Sequence, residues 1–218
     1  MMQEFSQLLS FLSERNCSLV AVSKTKSAAD ILRLYEQGQR DFGENYVQEL
    51  LQKQQELPAD IRWHFIGHLQ TNKVKQIASF VHLIHGVDSE KLLTEINKQA
   101  KKFDRRIDCL LQMHIAREET KFGMDRDELS MIQPDKYENV RIRGLMGMAS
   151  FSDDENLVRN EFRYLRMIFD DLTRVPAYSN MDTLSMGMSA DFKIAIEEGS
   201  TMVRIGSLLF GKRDYSAN

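Results

Sequence analysis

The sequence predicts an α/β protein that folds as a single (β/α)8 barrel, or TIM barrel, with an extra N-terminal helix. Its 218 residues, 42% of them hydrophobic, suffice for one sizeable core. Eight short apolar runs rich in β-branched residues predict strands, and most are separated by segments with apolar residues at helical spacing. The runs are 19–24, 40–44, 62–67, 82–87, 107–115, 140–146, 183–186 and 202–206. This alternation favours parallel strands with crossover helices, and eight such units close a barrel; a doubly wound open sheet is the alternative.

The chain begins with an amphipathic segment, residues 2–16, which we expect to pack on the outside of the barrel or over its closed end. The apolar side chains that share its buried face are Phe5, Leu8, Leu9 and Leu12. After the first strand, Ser27 stands where a helix N-cap is expected, and Gly38 stands where the helix should end. Later helices follow the same spacing, as the pair Leu92 and Ile96 shows before the fifth strand.

Composition limits the domain count and the classes of partner. The three prolines lie in polar connections and no low-complexity linker occurs, so we expect one domain over residues 1–218. The formal net charge of −3 gives no electrostatic support for a nucleic-acid or anionic-membrane partner. Cys17 and Cys109 form neither a disulfide framework nor a metal-binding spacing. Since the N-terminus also lacks the features of a secretion signal, we expect a cytoplasmic monomer that is neither secreted nor inserted in a membrane.

Polar and small residues stand at the carboxyl ends of the predicted strands, which form the working face of this fold. The first strand ends in Lys24, the second leads into Asn45 and the sixth ends at Met146. The seventh and eighth strands and their loops contribute small residues, namely Ser185, Gly187, Ser189, Gly206 and Ser207. Loops after these two strands commonly bind phosphate in barrels, because small residues let backbone N–H groups point at an anion. Gly187, Ser189, Gly206 and Ser207 suit that role.

A lysine and an arginine are expected beside this phosphate site. Closure of the barrel makes the eighth strand the neighbour of the first, so Lys24 would stand beside Arg204. A lysine amine, an anion site and a group facing the pyridine nitrogen are what pyridoxal 5′-phosphate (PLP) requires. A buried guanidinium needs a partner, either this cofactor or a buried carboxylate, and we favour the cofactor. Lys26 lies on the same strand face as Lys24, and spacing alone cannot choose between them.

Six ordered sequence blocks resemble those of a known family. The blocks are AVSKTK at 21–26, FGENYVQE at 42–49, WHFIG at 63–67, LQTNK at 69–73, LSMGMSAD at 184–191 and GSTMVRIG at 199–206. Together they are similar to the pyridoxal-phosphate homeostasis proteins, and the resemblance runs from about residue 19 to residue 215. Six matches in the same order make chance similarity remote.

The resemblance implies a fold-type III PLP-binding barrel, similar to the N-terminal domain of alanine racemase, with PLP held as a Schiff base on Lys24. It further implies that Arg204 faces the pyridine nitrogen and that Asn45 and Met146 flank the ring. The residues that it places around the phosphate are Ser185, Ser189, Gly206 and Ser207. The implied function is PLP homeostasis: carriage and buffering of the cofactor, without established catalytic turnover, and with PLP-dependent apoenzymes as potential recipients.

Other functions remain open from the residues alone. A small fold-type III amino-acid racemase would use Lys24 as the base on one face of its substrate. A cofactor-free barrel aldolase would use the same lysine to attack a phosphorylated sugar. His64, His68 and His114 lack a carboxylate or cysteine at metal-ligand spacing in the sequence, so we predict no metal.

Overall fold

A computed structural model describes residues 2–118 and 122–211, with side chains described from Glu4 onward. The eight strands form a closed parallel barrel in chain order, which confirms the predicted (β/α)8 fold. The strands are β1 (Ser18–Val22), β2 (Asp41–Glu44), β3 (Arg62–Phe65), β4 (Leu83–Val87), β5 (Ile107–Met113), β6 (Val140–Gly147), β7 (Thr183–Ser185) and β8 (Met202–Ile205). Each falls on one of the eight predicted runs. The prediction of one domain over residues 1–218 includes residues outside the described range and stays a prediction.

The described α-helices lie between the strands and at the two ends of the chain. They are α1 (Met2–Ser13), α2 (Ala28–Tyr35), α3 (Val47–Glu56), α4 (Val74–Ile77), α5 (Glu90–Lys102), α6 (Arg126–Met131), α7 (Glu155–Thr173), α8 (Phe192–Glu197) and α9 (Ser207–Phe210). The expected cap of the first barrel helix is confirmed: Ser27 accepts a hydrogen bond from the Asp30 amide, and Asp30 bonds back to Ser27. Gly38, at φ 97°, follows the end of that helix.

Pairing of β1 with β8 closes the barrel. Val20 of β1 is level with Arg204 of β8, and Ala21 is level with Ile205. On its other side β1 pairs with β2. This closed arrangement rules out the doubly wound open sheet, in which the first and last strands would not meet. It also brings the residues that follow β1 next to those that follow β8.

Helix α1 packs on the outside of the barrel. Phe5 and Leu12 are buried in the main apolar core between strands and helices. The ring of Phe11 packs edge-on against Phe192 of α8, with the two ring centroids 6.0 Å apart. Within the described part of the chain, no helix combines the length and apolar character that a membrane crossing requires.

The barrel interior is partly polar. A small apolar cluster of Leu83, Leu110 and Met146 fills part of it. The polar side chains buried there or at its edge include His64, His85, Ser185 and Arg204. Buried polar groups require hydrogen-bond partners, so these four side chains must be satisfied by one another, by the backbone or by a ligand.

Candidate cofactor site

A cavity of about 490 Å³ opens at the carboxyl ends of the strands. This volume falls within the range that small-molecule and cofactor pockets occupy in proteins. Six of the eight predicted site residues line it, together with Lys26: the six are Lys24, Asn45, Ser189, Arg204, Gly206 and Ser207. The structure therefore brings to one cavity residues from the ends of β1, β2, β7 and β8, as expected from closure of the barrel.

Lys24 is half-buried and stands just beyond the end of β1. The preceding residue extends the pairing with β2, because the Ser23 amide donates to the Gly43 carbonyl at 3.0 Å. The following residue, Thr25, has φ 63°, a conformation that is costly for a β-branched residue. Such a backbone persists only where neighbouring groups hold it in place.

A buried polar network supplies that support. Lys53 of α3 donates to the Ser23 carbonyl at 2.7 Å, to Glu44 at 2.8 Å and to Glu49 at 2.6 Å. Glu49 in turn accepts the Thr25 amide at 2.6 Å, and Glu44 accepts the Ser23 hydroxyl at 2.6 Å. The residues on both sides of Lys24 are therefore bonded to α3 and to the end of β2.

Glu44 is the most strongly perturbed carboxyl of this network. Burial raises its pKa to about 7, while the Lys53 ammonium and the hydrogen bonds from Lys53 and Ser23 oppose that rise. Its Oε2 atom is buried and has no hydrogen-bond partner among the described residues. The state of this carboxyl consequently depends on Lys53, the cation that is bonded to it.

Arg204 projects from β8 into the cavity and is only 4% exposed. Its Nη1 donates to the carbonyl and to the hydroxyl of Ser185, at 2.8 and 2.7 Å, and its Nη2 donates to the Gly147 carbonyl at 3.0 Å. Burial lowers the pKa of Arg204 to about 10, partly opposed by the Asp191 carboxylate. None of the ion pairs found within residues 2–118 and 122–211 includes Arg204.

Small residues form the side of the cavity where phosphate is expected. The Ser189 hydroxyl accepts a hydrogen bond from the Gly206 amide at 3.3 Å, which ties the loop after β7 to the end of β8. A Cβ added at Gly206 would come within 3.3 Å of Val22, so a larger residue would crowd the end of β1. Ser207 is exposed at the cavity wall.

Asn45, Met146 and Ser185 occupy different depths. Asn45 lines the cavity, and its Oδ1 is buried without a hydrogen-bond partner among the described residues. Met146 is 1% exposed and packs below the cavity, outside the described lining, because β6 continues to Gly147. Met148 lies two residues further on the same strand face and reaches the cavity in its place. Ser185 is fully buried and contacts Arg204, and it is likewise absent from the described lining.

Several residues of the site had no signal in the sequence. Glu44 stands in a recognised block, yet nothing in the spacing links it to Lys53 of α3. Phe151 and Met188 line the cavity as exposed apolar side chains on the loops after β6 and β7. Loop residues carry no periodicity, so their direction could not be inferred.

At the opposite mouth of the barrel, Asp41, His64 and His82 bring potential ligand atoms within 4.8 Å of one another. The sequence did not reveal this carboxylate, because β2 and β3 become neighbours only in the folded sheet. Arg62 already forms a two-point ion pair with Asp41. A cation would have to displace this guanidinium, so the absence of a metal remains our prediction.

Comparisons with known proteins define the class. A family model described as "Alanine racemase, N-terminal domain" matches residues 2–214. An alanine racemase from Bartonella henselae with covalently bound pyridoxal phosphate shares the fold, with a TM-score of 0.68 at 16% identity over 97% of this chain and 61% of that one. The chain is thus a barrel of the alanine racemase N-terminal class.

The particular family follows from more similar proteins. The pyridoxal phosphate homeostasis protein of Aquifex aeolicus is 44% identical over 204 residues, which are 92% of this chain and 89% of that protein. The structure of PipY from Synechococcus elongatus PCC7942 with PLP bound has a TM-score of 0.88 and 35% identity, over 96% of this chain and 99% of that one. The chain belongs to the pyridoxal phosphate homeostasis protein family, which confirms the resemblance inferred from the six blocks.

Proposed function

We propose that this chain binds PLP through Lys24 and functions in PLP homeostasis by storing the cofactor and releasing it to acceptors. Relatives carry the name pyridoxal phosphate homeostasis protein, and the PipY structure contains PLP. The observation that carries the proposal is Arg204: a buried guanidinium that has no carboxylate within ion-pair distance among the described residues and lies in the same cavity as Lys24. Such a group favours a ligand with an acceptor.

The residues of the cavity fit this cofactor. When bound, PLP supplies an aldehyde that condenses with a primary amine with loss of one water. Lys24 offers the amine, and the backbone beside it is held by Lys53 and Glu49. Ser189 and Ser207 offer their hydroxyl groups and Ser207 also its amide to a phosphate, while the Gly206 amide donates to Ser189. The Oδ1 of Asn45 is a buried acceptor that a ligand donor could satisfy.

Arg204 favours carriage over broad catalysis. A guanidinium gives up its proton with difficulty, so it would leave a facing pyridine nitrogen unprotonated and weaken the ring as an electron sink. Lys26 also lines the cavity, but its Nζ donates to the Phe210 carbonyl at 3.1 Å. These two features support a carrier in which an incoming amine displaces Lys24. We propose that PLP-dependent apoenzymes provide such amines and that the protein acts as a cytoplasmic monomer.

Borohydride reduction tests the linkage. Reduction of the purified protein with PLP, followed by peptide mass spectrometry, should place the added mass on Lys24, and Lys24→Ala should abolish both the adduct and the visible absorption band. Lys26→Ala is the matched control and should keep both. An adduct that remains in Lys24→Ala would show that another amine holds the cofactor.

Two further measurements test the position of Arg204 beside the pyridine nitrogen and the absence of catalytic turnover. Arg204→Glu should alter the visible band, because a carboxylate would favour protonation of the pyridine nitrogen; an unchanged spectrum and unchanged retention of PLP would contradict our placement of Arg204. Carriage also predicts no deuterium exchange at the α-carbon across a broad panel of amino acids. Rapid, stereochemically scrambled exchange would instead identify an amino-acid racemase.

A further inference from the structure

A chain of hydrogen bonds crosses the barrel interior from Arg204 to the opposite mouth. Arg204 Nη1 donates to the Ser185 hydroxyl at 2.7 Å, and that hydroxyl lies 3.2 Å from His85 Nδ1. His85 Nε2 is 3.0 Å from His64 Nδ1. His64 Nε2 is 3.0 Å from Asp41 Oδ1. The chain thus links β8, β7, β4, β3 and β2, and its inner members are almost completely buried.

With both imidazoles neutral, the chemistry of the two ends gives every bond in between one direction. Arginine can only donate and an ionised carboxylate can only accept. His64 therefore donates from Nε2 to Asp41, and with a neutral ring its Nδ1 accepts from His85 Nε2. A neutral His85 is then left with an acceptor at Nδ1, to which the Ser185 O–H donates while the Ser185 oxygen accepts from Arg204. Both histidines are neutral in this arrangement, and each carries its proton on Nε2.

The surroundings of the two histidines agree with this assignment. His85 is fully buried, and burial lowers its pKa well below the usual value, assisted by the nearby Arg204 charge. Asp41, at the far end of the hydrogen-bond chain, is stabilised as an anion. Burial tends to raise the pKa of Asp41, but the hydrogen bonds from Arg62 and His64 more than compensate and hold that pKa below its usual range. A neutral imidazole at His85 and an ionised carboxylate at Asp41 are what this sequence of hydrogen bonds requires.

We propose that Asp41, His64 and His85 are positioning residues that hold the Ser185 hydroxyl, and through it Arg204, in the orientation that the pyridine nitrogen of the cofactor needs. With its O–H committed to His85, the Ser185 oxygen presents its lone pairs to Arg204. The bonds to Ser185 and Gly147 then occupy both N–H groups of Nη1 and one of Nη2, which among the described residues leaves the Nε–H and the other Nη2–H for a ligand. This inference rests on the proposed binding of PLP.

Nitrogen-15 NMR of the histidine side chains tests the direction of the chain in the protein without PLP. Long-range correlations between ring nitrogens and carbon-bound protons at neutral pH should show His64 and His85 as neutral Nε2–H tautomers. A Nδ1–H tautomer or a charged ring at either residue would overturn the assignment. Because no cofactor is present, this result is independent of the proposed function.

A pair of buried serines tests the effect on the cofactor. Ser185→Ala removes the link to His85 but keeps the backbone carbonyl that binds Arg204. We expect PLP to bind about threefold to tenfold more weakly and its visible band to shift, since one hydrogen bond to a charged group is lost. Ser200→Ala is the matched control, because the Ser200 hydroxyl is buried and bonds backbone carbonyls of β7, β8 and the residue after β7 and the Cys17 side chain, none of which belongs to the hydrogen-bond chain. It should leave the band in place, and Ser185→Thr should restore it.

The outcomes separate the two proposals. Ser185→Ala and Ser200→Ala could change the visible absorption band and the affinity for PLP by the same amount. That result would overturn the positioning role while leaving PLP binding intact. Failure of the unaltered protein to bind PLP would overturn the proposed function and with it the role of Arg204 towards the ring, whereas the NMR result on the hydrogen-bond direction would stand.

Discussion

Replacement of Lys53 by methionine should destabilise the protein in a way that grows with pH. Lys53 is 6% exposed and bonds Ser23, Glu44 and Glu49. Methionine has a similar length, so the loss of packing is small. The main cost falls on Glu44, which must either stay ionised without its cation or take up a proton from water. Removal of one partner from a buried ion pair costs about 3–5 kcal/mol, and we expect the loss in the free energy of unfolding to approach this size at about pH 9.

The pH dependence follows from the pKa of Glu44, which is raised from 4.5 to about 7 in the native protein. A raised pKa means that the native state binds a proton more tightly than the unfolded state, so the associated stability is lost as the pH rises through the native pKa. Without Lys53 that pKa rises further, and the variant keeps its proton above pH 7. Its deficit relative to the original protein should then grow by up to about 1.4 kcal/mol for each pH unit above about 7 and stay constant below it.

Urea unfolding followed by circular dichroism between about pH 6 and pH 9 measures both quantities. Lys98→Met is the matched control, since Lys98 is 62% exposed on α5, and its effect should stay within about 0.5 kcal/mol. In a Glu44→Gln background, the loss of stability caused by Lys53→Met should no longer depend on pH. A deficit below about 1 kcal/mol, or one that is equal at both ends of the pH range, would refute the reasoning that Lys53 neutralises a buried carboxylate.

Three other predictions concern the barrel and its cavity. Gly144→Ala should unfold the protein or lower its stability by more than about 3 kcal/mol in urea, because φ is 156° there and a Cβ would lie 1.7 Å from the Thr183 carbonyl oxygen; near-normal stability would contradict the described β6–β7 contact. Asp41→Asn should lower the free energy of unfolding at neutral pH. This loss should become smaller as the pH falls below 3.8, because the lowered pKa of Asp41 stabilises the protein only while the carboxyl is ionised. A loss that is equal in acid and at neutral pH would argue against a stabilising Asp41 carboxylate. Inorganic phosphate should weaken PLP binding competitively in absorption titrations if Ser189, Gly206 and Ser207 bind the phosphate group, and non-competitive behaviour would place that group elsewhere.

Much of the fold was predictable because its signals are local. Each strand is a short apolar run, and the cap at Ser27 and the glycine at position 38 are read from a few neighbouring residues. The count of eight alternating units then points to one closed architecture. The placement of Lys24 and Arg204 in one cavity followed from that closure, since Lys24 follows β1 and Arg204 lies on β8, and the barrel makes these strands adjacent.

The depth of a side chain was not predictable in the same way. Met146 was expected beside the ring, but the structure places it one layer below the cavity and brings Met148 to the wall instead. The strand period determines which face a residue occupies, while the point at which the strand ends determines how deep it lies. The roles implied for Met146 and Ser185 towards a bound cofactor remain predictions.

The sequence by itself determined the barrel and, through its six ordered blocks, the family. It also placed Lys24 and Arg204 at the ends of strands that closure makes adjacent, because that placement follows from local patterns and one topological rule. Only the tertiary structure decided what supports them: Lys53 beside Glu44, and the chain from Ser185 through His85 to Asp41. Those partners come from strands and helices far apart along the chain. Their contacts arise from packing and from the need of each buried polar group for a partner, neither of which leaves a spacing that can be read from the residues alone.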